Sequence, residues 1–360
     1  MMTYTNADIH IPERILFQWH VTDRCNLRCS HCYQDVTPTA DPKWDELLGI
    51  LEQFKSFTAD CRKTAGKRIF RAHITVTGGE PFMREDFPLF LERLAEERRH
   101  FSFALLTNGT LLNPAAIGSI RRLSPTFVQV SIDGTREIHD GIRGDGSYER
   151  AVAGVKLLGA AGIPAYLSFT AHSGNFRNFP EVARLGNRIG VARVWSDRMV
   201  PCDRGGQAGE MLLSAEETRQ FIGLMESERR RGLLRKSPVV LHRSLQFMSS
   251  GTTPYRCTAG DTLITVLSNG DVCPCRRMPL IAGNMHDQPL EQLYQNSEIF
   301  RRLRDKQRIS SGCEGCFYAR TCGGGARCIA FALHGDPFHA DPGCWLATGS
   351  GAQNLTSEKL

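Results

Sequence analysis

The segment Trp19–Gln34, WHVTDRCNLRCSHCYQ, carries the reading of the whole chain. Its first residues end a strand-like run over 14–22 (RILFQWHVT). Three cysteines follow at once, Cys25, Cys29 and Cys32, in a C-x3-C-x2-C loop. Three thiolates on one short loop can hold three corners of a cubane iron–sulfur cluster. One iron is then left without a protein ligand, open to a substrate that chelates it. A zinc site completed by a fourth ligand such as His31, or a set of free thiols, is the plain alternative.

Five further runs resemble the first: 71–77, 102–107, 126–132, 164–170 and 191–196. They are short, rich in β-branched and aromatic residues, and bounded by Gly, Asn, Asp or Pro, so they predict strands. Between them, apolar residues at helical spacing predict helices over roughly 86–99, 112–123, 148–161 and 179–189. An earlier helix is expected to start at Asp41-Pro42, with Asp41 as N-cap and Pro42 at the first helical position. Trp44, Leu47, Leu48, Leu51 and Phe54 then share one face. Strand–helix alternation predicts a parallel sheet of βα units. Six units fall short of the eight of a closed barrel. The expected fold is therefore α/β, a partial (β/α)6 TIM-like barrel over 14–205, preceded by an arm at 1–13.

The expected C-terminal ends of these strands carry polar turns: Gly78-Gly79-Glu80-Pro81, Thr107-Asn108-Gly109 and Ser131-Ile132-Asp133-Gly134. Each is weak alone, because Gly-Gly and Asn-Gly are ordinary turn formers. Together they ring the rim on which barrel enzymes assemble their sites. Glycine lets backbone approach a ligand closely, and Glu80 can accept hydrogen bonds from an ammonium group. The rim suits a polar, amine-bearing cofactor beside a metal cluster.

Past residue 205 the pattern changes. A linker over 206–256 holds a helix that opens at Ser214 with Glu217 three residues on, a capping pair. Asn269-Gly270, between Thr262–Leu267 and Asp271-Val272, predicts a hairpin. A helix near 289–304 follows, and the rest to 345 is rich in Gly and Cys. Such a segment has too little apolar pattern to build its own core, so a metal is a plausible source of its fold. The tail 346–360 reads as disordered.

The chain has 13 cysteines, and eight of them lie between 257 and 344. The N-terminus lacks the apolar core of a signal peptide, which makes a disulfide framework an unsuitable explanation and a cytoplasmic location the default. Lys and Arg total 44 against 38 Asp and Glu, a net charge of +6. That excess is not the clustered basic signature of a nucleic-acid binder, and no apolar run is long enough for a membrane span.

The cysteine loop, the Gly-Gly-Glu-Pro segment and the strand order resemble the radical S-adenosylmethionine (radical SAM) enzymes over about residues 14–205. The resemblance implies a [4Fe-4S] cluster on Cys25, Cys29 and Cys32, chelated at its open iron by S-adenosylmethionine. Gly78, Gly79 and Glu80 match the segment that holds the cofactor's amino group, and His31 the position whose ring packs near adenine. Ser131, Asp133 and Arg143 fall where family members contact ribose or carboxylate; a surface salt bridge is the plain alternative for Arg143. Residues 257–345 resemble the SPASM extension, a domain of auxiliary clusters. The spacing runs Cys257-x12-Gly270-x4-Cys275, then Cys313-x2-Cys316-x5-Cys322-x5-Cys328 and Cys344. Five residues separate Cys322 from Cys328 where the family has three. By the family's pattern, Cys313, Cys316, Cys322 and Cys344 complete one auxiliary cluster. Cys257, Cys275 and Cys328 hold the other, whose fourth corner falls to Cys273, to Cys202 or to no residue. Cys61 reads as a buried free thiol.

The resemblance implies an enzyme that forms a 5′-deoxyadenosyl radical and abstracts hydrogen from a substrate across the barrel mouth. A ribosomally made peptide or protein is the first expectation, and a tetrapyrrole or other cofactor precursor the second. A non-catalytic iron–sulfur electron carrier would not need Gly78–Glu80. A reducing partner such as flavodoxin or ferredoxin is expected. Only 13 residues precede the first strand, so a winged-helix leader-binding module has no room there. A peptide substrate would call for a separate leader-binding protein, or for recognition by the barrel mouth and cysteine-rich domain themselves.

Overall fold

Alternation along the first strand sets the architecture. The computed structural model describes residues 9–34, 40–66, 69–201, 211–232 and 239–347. In β1 (Arg14–His20), Ile15, Phe17 and Trp19 are buried. Phe17 stacks on Phe54 with ring centroids 4.5 Å apart, and Trp19 meets Phe90 edge-on at 5.0 Å. The intervening Leu16 and Gln18 face an interior cavity. A period of two thus sends one set of side chains to the helical layer and the other to the lumen.

β2 (Arg71–Thr77), β3 (Ser102–Thr107), β4 (Val128–Ser131), β5 (Ala165–Ala171) and β6 (Arg193–Arg198) follow in parallel register. Helices α1 (Trp44–Ala65), α2 (Phe87–Glu96), α3 (Pro114–Leu123), α4 (Arg136–Arg143), α5 (Ser147–Ala160) and α6 (Phe179–Ile189) connect them. The six expected units form, and the parallel array extends at both edges. β7 (Val239–Val240) pairs with β6, and β8 (Leu263–Val266) pairs with β1 in the register Leu16–Leu263 to Trp19–Val266. β8 turns through Asn269-Gly270 into β9 (Asp271–Cys273), which β10 (Gly283–Asn284) joins antiparallel. The sheet order is β10-β9-β8-β1-β2-β3-β4-β5-β6-β7, so β7 and β8 do not pair and the barrel is open along that seam. The segment from Leu241 to Ala259 borders the lumen there.

The expected hairpin forms, and its first strand also joins the barrel's sheet beside β1, with Ile264, Thr265 and Val266 buried. Two expectations change. The first helix starts at Trp44, with Lys43 as N-cap and the Glu46 carboxylate accepting the Lys43 N–H at 2.6 Å. Asp41 instead accepts from Thr22 and from Arg24, at 2.6 Å to the latter, and so pins the cysteine loop. Finally, α4 is an eight-residue helix, REIHDGIR, that lies between the expected helices. By contrast, α7 (Ala215–Gly232) opens on the expected reciprocal Ser214–Glu217 cap. From the arm, His10 reaches Asp261 at 2.9 Å. Cys202 and the tail from 348 lie outside the described residues.

Candidate functional site

The cysteine loop leaves β1 at its C-terminal end and crosses the rim formed by β2 to β5. Cys25, Cys29 and Cys32 are partly exposed there around a cavity of about 180 Å³ that Gly78, Gly79, Ser131, Ser168 and Thr170 also line. Burial pushes the Cys29 thiol up to about 11, with Arg143 opposing and Cys32 and Cys25 adding to it. The Arg143 Nη1 lies 3.8 Å from Cys29 Sγ, and Asn108 Nδ2 lies 4.0 Å from Cys25 Sγ.

A buried triad stands behind the loop. Asp133, fully buried at the end of β4, takes the His31 Nε2 at 2.9 Å and the Arg143 Nε at 2.6 Å on one oxygen. Its other oxygen accepts the Thr170 N–H at 2.9 Å. Burial opposes its ionisation, but Arg143 and His31 override this and hold the carboxyl well below the usual range. Arg143 is therefore no surface salt bridge. α4 carries it inward, against both Asp133 and Cys29.

Glu80 is also fully buried. Its carboxylate accepts from Thr107 Oγ1 at 2.8 Å, the Asn108 N–H at 2.7 Å and the Phe82 N–H at 3.3 Å. Burial pushes its carboxyl up to about 7 against those donors. The side chain ties the β2 turn to the β3 turn, while the backbone of Gly78 and Gly79 faces the cavity. A Cβ on Gly79 would collide with the Arg24 carbonyl oxygen and lie 2.7 Å from its carbon, so β2 and the cysteine loop touch through backbone.

The C-terminal cysteines form two groups. Cys257, Cys275 and Cys328 act on one another electrostatically, with Arg277 among them. Cys313, Cys316, Cys322 and Cys344 form the second set, around Asp341 and the glycine run. Cys273 is buried with its thiol toward the Cys275 carbonyl, 3.6 Å away. Cys61 is buried in α1, within the apolar core. Among the described residues, no three His, Cys, Asp or Glu side chains converge on a single-ion position. Cysteine sets of this kind fit a thiolate-held iron–sulfur cluster.

Sequence reasoning missed the second cavity. It fills the lumen, measures about 730 Å³, and meets the rim cavity at Leu106, Gln129, Trp195, Asp197, Arg198, Arg276 and Arg277. Among the described residues, six arginines line it: Arg14, Arg193, Arg198, Arg243, Arg276 and Arg277. Two carboxylates answer them. Asp197 pairs with Arg243 and Arg277, and Asp341 takes Arg198 from both sides. Aromatic rings form the walls, with Phe127 and Tyr166 stacked at 4.3 Å and Arg243 lying 4.0 Å over Trp195. Cys257, Cys275 and Cys328 also border this lumen.

Comparison with known proteins agrees with this geometry. Residues 19–185 match the radical SAM superfamily, and residues 257–317 match the SPASM iron–sulfur cluster-binding domain. The chain belongs to the radical SAM superfamily and carries a SPASM domain, so its cofactors are S-adenosylmethionine and [4Fe-4S] clusters. It is 29% identical to the AdoMet-dependent heme synthase of Methanosarcina barkeri, over 97% of this chain and 99% of that one. It is 28% identical to the mycofactocin maturase MftC of Mycolicibacterium smegmatis, over 96% and 86% respectively. Streptococcus suis SuiB bound to S-adenosylmethionine shares the fold with a TM-score of 0.72 at 14% identity, over 94% of this chain and 78% of SuiB. No helix among the described residues is long and apolar enough to cross a membrane.

Proposed function

We propose that this radical SAM enzyme acts on a tetrapyrrole bearing several carboxylates. The lumen carries the proposal: about 730 Å³, walled by aromatic rings, with six guanidinium groups against two carboxylates, opening directly onto the rim cavity. That volume lies in the upper part of the ~300–1,000 Å³ range of small-molecule pockets. Flat aromatic walls suit a macrocycle, and guanidinium pairs carboxylate with bidentate geometry. The likeness to a heme synthase over nearly the whole of both chains supports the same reading.

In this proposal Cys25, Cys29 and Cys32 hold the catalytic [4Fe-4S] cluster. Cys313, Cys316, Cys322 and Cys344 hold one auxiliary cluster, and Cys257, Cys275 and Cys328 the other. When bound, the catalytic cluster and S-adenosylmethionine supply a 5′-deoxyadenosyl radical that abstracts hydrogen from unactivated carbon. The chain's residues hold and aim the reactants. Gly78 and Gly79 present backbone to the cofactor's amino end, with Glu80 fixing that turn. Asp133 locks the His31 ring and balances Arg143; His31 would hold the cofactor's adenine and Ser131 its ribose. A flavodoxin or ferredoxin delivers the electron.

Anaerobic incubation with S-adenosylmethionine, dithionite and Fe-coproporphyrin III tests the proposal. A changed porphyrin mass coupled to 5′-deoxyadenosine is expected. Neither binding nor turnover of any carboxylated porphyrin would overturn it. The second reading, peptide maturation, draws on the likeness to MftC. It requires modification of a precursor peptide, with a separate leader-binding protein where recognition needs one.

A further inference from the structure

Among the described residues, Arg327 is the most deeply buried arginine that the site above does not use. It begins the helix Arg327–His334, immediately before Cys328, and is 1% exposed. Its Nη1 donates to the Leu303 carbonyl at 2.9 Å, and its Nε has no partner. No carboxylate among the described residues pairs with it. Asp261, a carboxylate that acts on it electrostatically, is held by His10 at 2.9 Å and lies 4.0 Å from Lys306. Cys257, Arg256 and Arg308 also act on it electrostatically, and Leu303 and Phe338, which it contacts, pack in one cluster with Cys257, Cys275 and Cys328. Moreover, three guanidinium groups crowd the Phe338 ring: Arg308 at 4.6 Å, Arg302 at 5.0 Å and Arg327 at 5.3 Å.

Arginine stays protonated in proteins, so it cannot escape burial by losing its charge. A buried, unpaired cation beside further cations is costly unless an anion lies close by. On this side of the lumen Arg277 has Asp197 as partner, and Arg327 has none.

We infer that Arg327 is the counter-charge of the cluster held by Cys257, Cys275 and Cys328, and that it raises that cluster's reduction potential. The inference rests on the cluster reading of those three cysteines. A thiolate-bound cubane is anionic, and more so when reduced, so a fixed neighbouring cation favours the reduced state. Burial strengthens the effect, because little water screens it. Arg327 is a positioning and tuning residue here and touches no reacting atom.

The test is a potentiometric titration, followed by electron paramagnetic resonance, of the anaerobically reconstituted full-length enzyme. The relevant signal is the one lost in Cys257→Ala and Cys328→Ala. In Arg327→Met it should move to a more negative potential, with the reduction constant falling about tenfold, or ~59 mV for one electron. Arg327→Lys, which keeps the charge, should stay nearer the wild-type value. A second readout needs no redox signal. Iron chelation should lower the thermal midpoint of the wild type more than that of Arg327→Met, because only the wild type is left with a buried unpaired cation. An unshifted signal in Arg327→Met, or equal destabilisation on chelation, would overturn the inference. If Cys257→Ala and Cys328→Ala remove no signal at all, the cluster reading itself fails and the inference falls with it.

Discussion

Asp133 does the most work per atom on the rim. One oxygen balances Arg143 and orients His31, and the other anchors the backbone of β5 at Thr170. Asp133→Asn would leave Arg143 buried without its counter-charge, and breaking a buried pair from one side costs about 3–5 kcal/mol. Thermal denaturation should show that loss. Equilibrium binding should show S-adenosylmethionine affinity down by about tenfold or more, because the His31 ring loses its fixed orientation. Sequence alone placed Asp133, Ser131 and His31 near one rim, since each follows a strand or sits in the cysteine loop. It left Arg143 open between site and surface, because the answer depends on which way α4 packs, and eight residues with only Ile138 and Ile142 apolar give a short stripe to read. For Glu80 the motif located the residue. That Thr107 and the Asn108 N–H hold its carboxylate follows only from the approach of the β3 turn.

β2 and the cysteine loop meet through bare backbone, and this makes the element boundary fragile. Gly79→Ala drives a methyl group into the Arg24 carbonyl, where no flexible side chain can move aside. Expected is loss of most S-adenosylmethionine cleavage with auxiliary iron retained, measured as 5′-deoxyadenosine formed and iron bound. Cys25, Cys29 and Cys32 changed together to Ala should abolish 5′-deoxyadenosine and lower bound iron by about four atoms. Persistence of cleavage in that variant would remove the loop from the catalytic role. At this scale β2 and β3 coincide with their expected spans, since strands buried on both faces read as short apolar runs between turn residues. The pairing of β8 with β1 had no local signal. Leu16 and Leu263 are neighbours only because the barrel needs an edge strand, and nothing near either residue encodes that. Asp41 misled for a different reason: an Asp-Pro pair suits a helix start, but Thr22 and Arg24 already claim the carboxylate.

Across the whole molecule, charge is distributed in a way that no local motif announces. The lumen's arginines come from β1, from β6, from the seam after β7 and from the turn after Cys275, and they meet only on folding. Three full clusters require about twelve irons per chain. A stable value near eight in anaerobically reconstituted protein would mean that one cysteine group stays empty. The sharper question is what the lumen holds. Arg14 and Arg193 stand at the N-terminal ends of β1 and β6 and line the lumen but not the rim cavity. Arg193 lies 5.4 Å over Tyr166, and neither arginine has a carboxylate partner among the described residues. A tetrapyrrole with one side chain presented to the rim would extend its remaining carboxylates toward them. Changing both to Gln should weaken binding of Fe-coproporphyrin III by about 0.2–1 kcal/mol for each exposed pair lost, about twofold to thirtyfold together. Affinity should also depend less on salt than in the wild type, because the lost contacts are the screened ones. Fluorescence or absorbance titration at two ionic strengths measures both effects. Unchanged affinity and unchanged salt dependence would place the substrate's carboxylates elsewhere. Tight binding of a neutral precursor peptide by the same lumen would then favour the peptide reading.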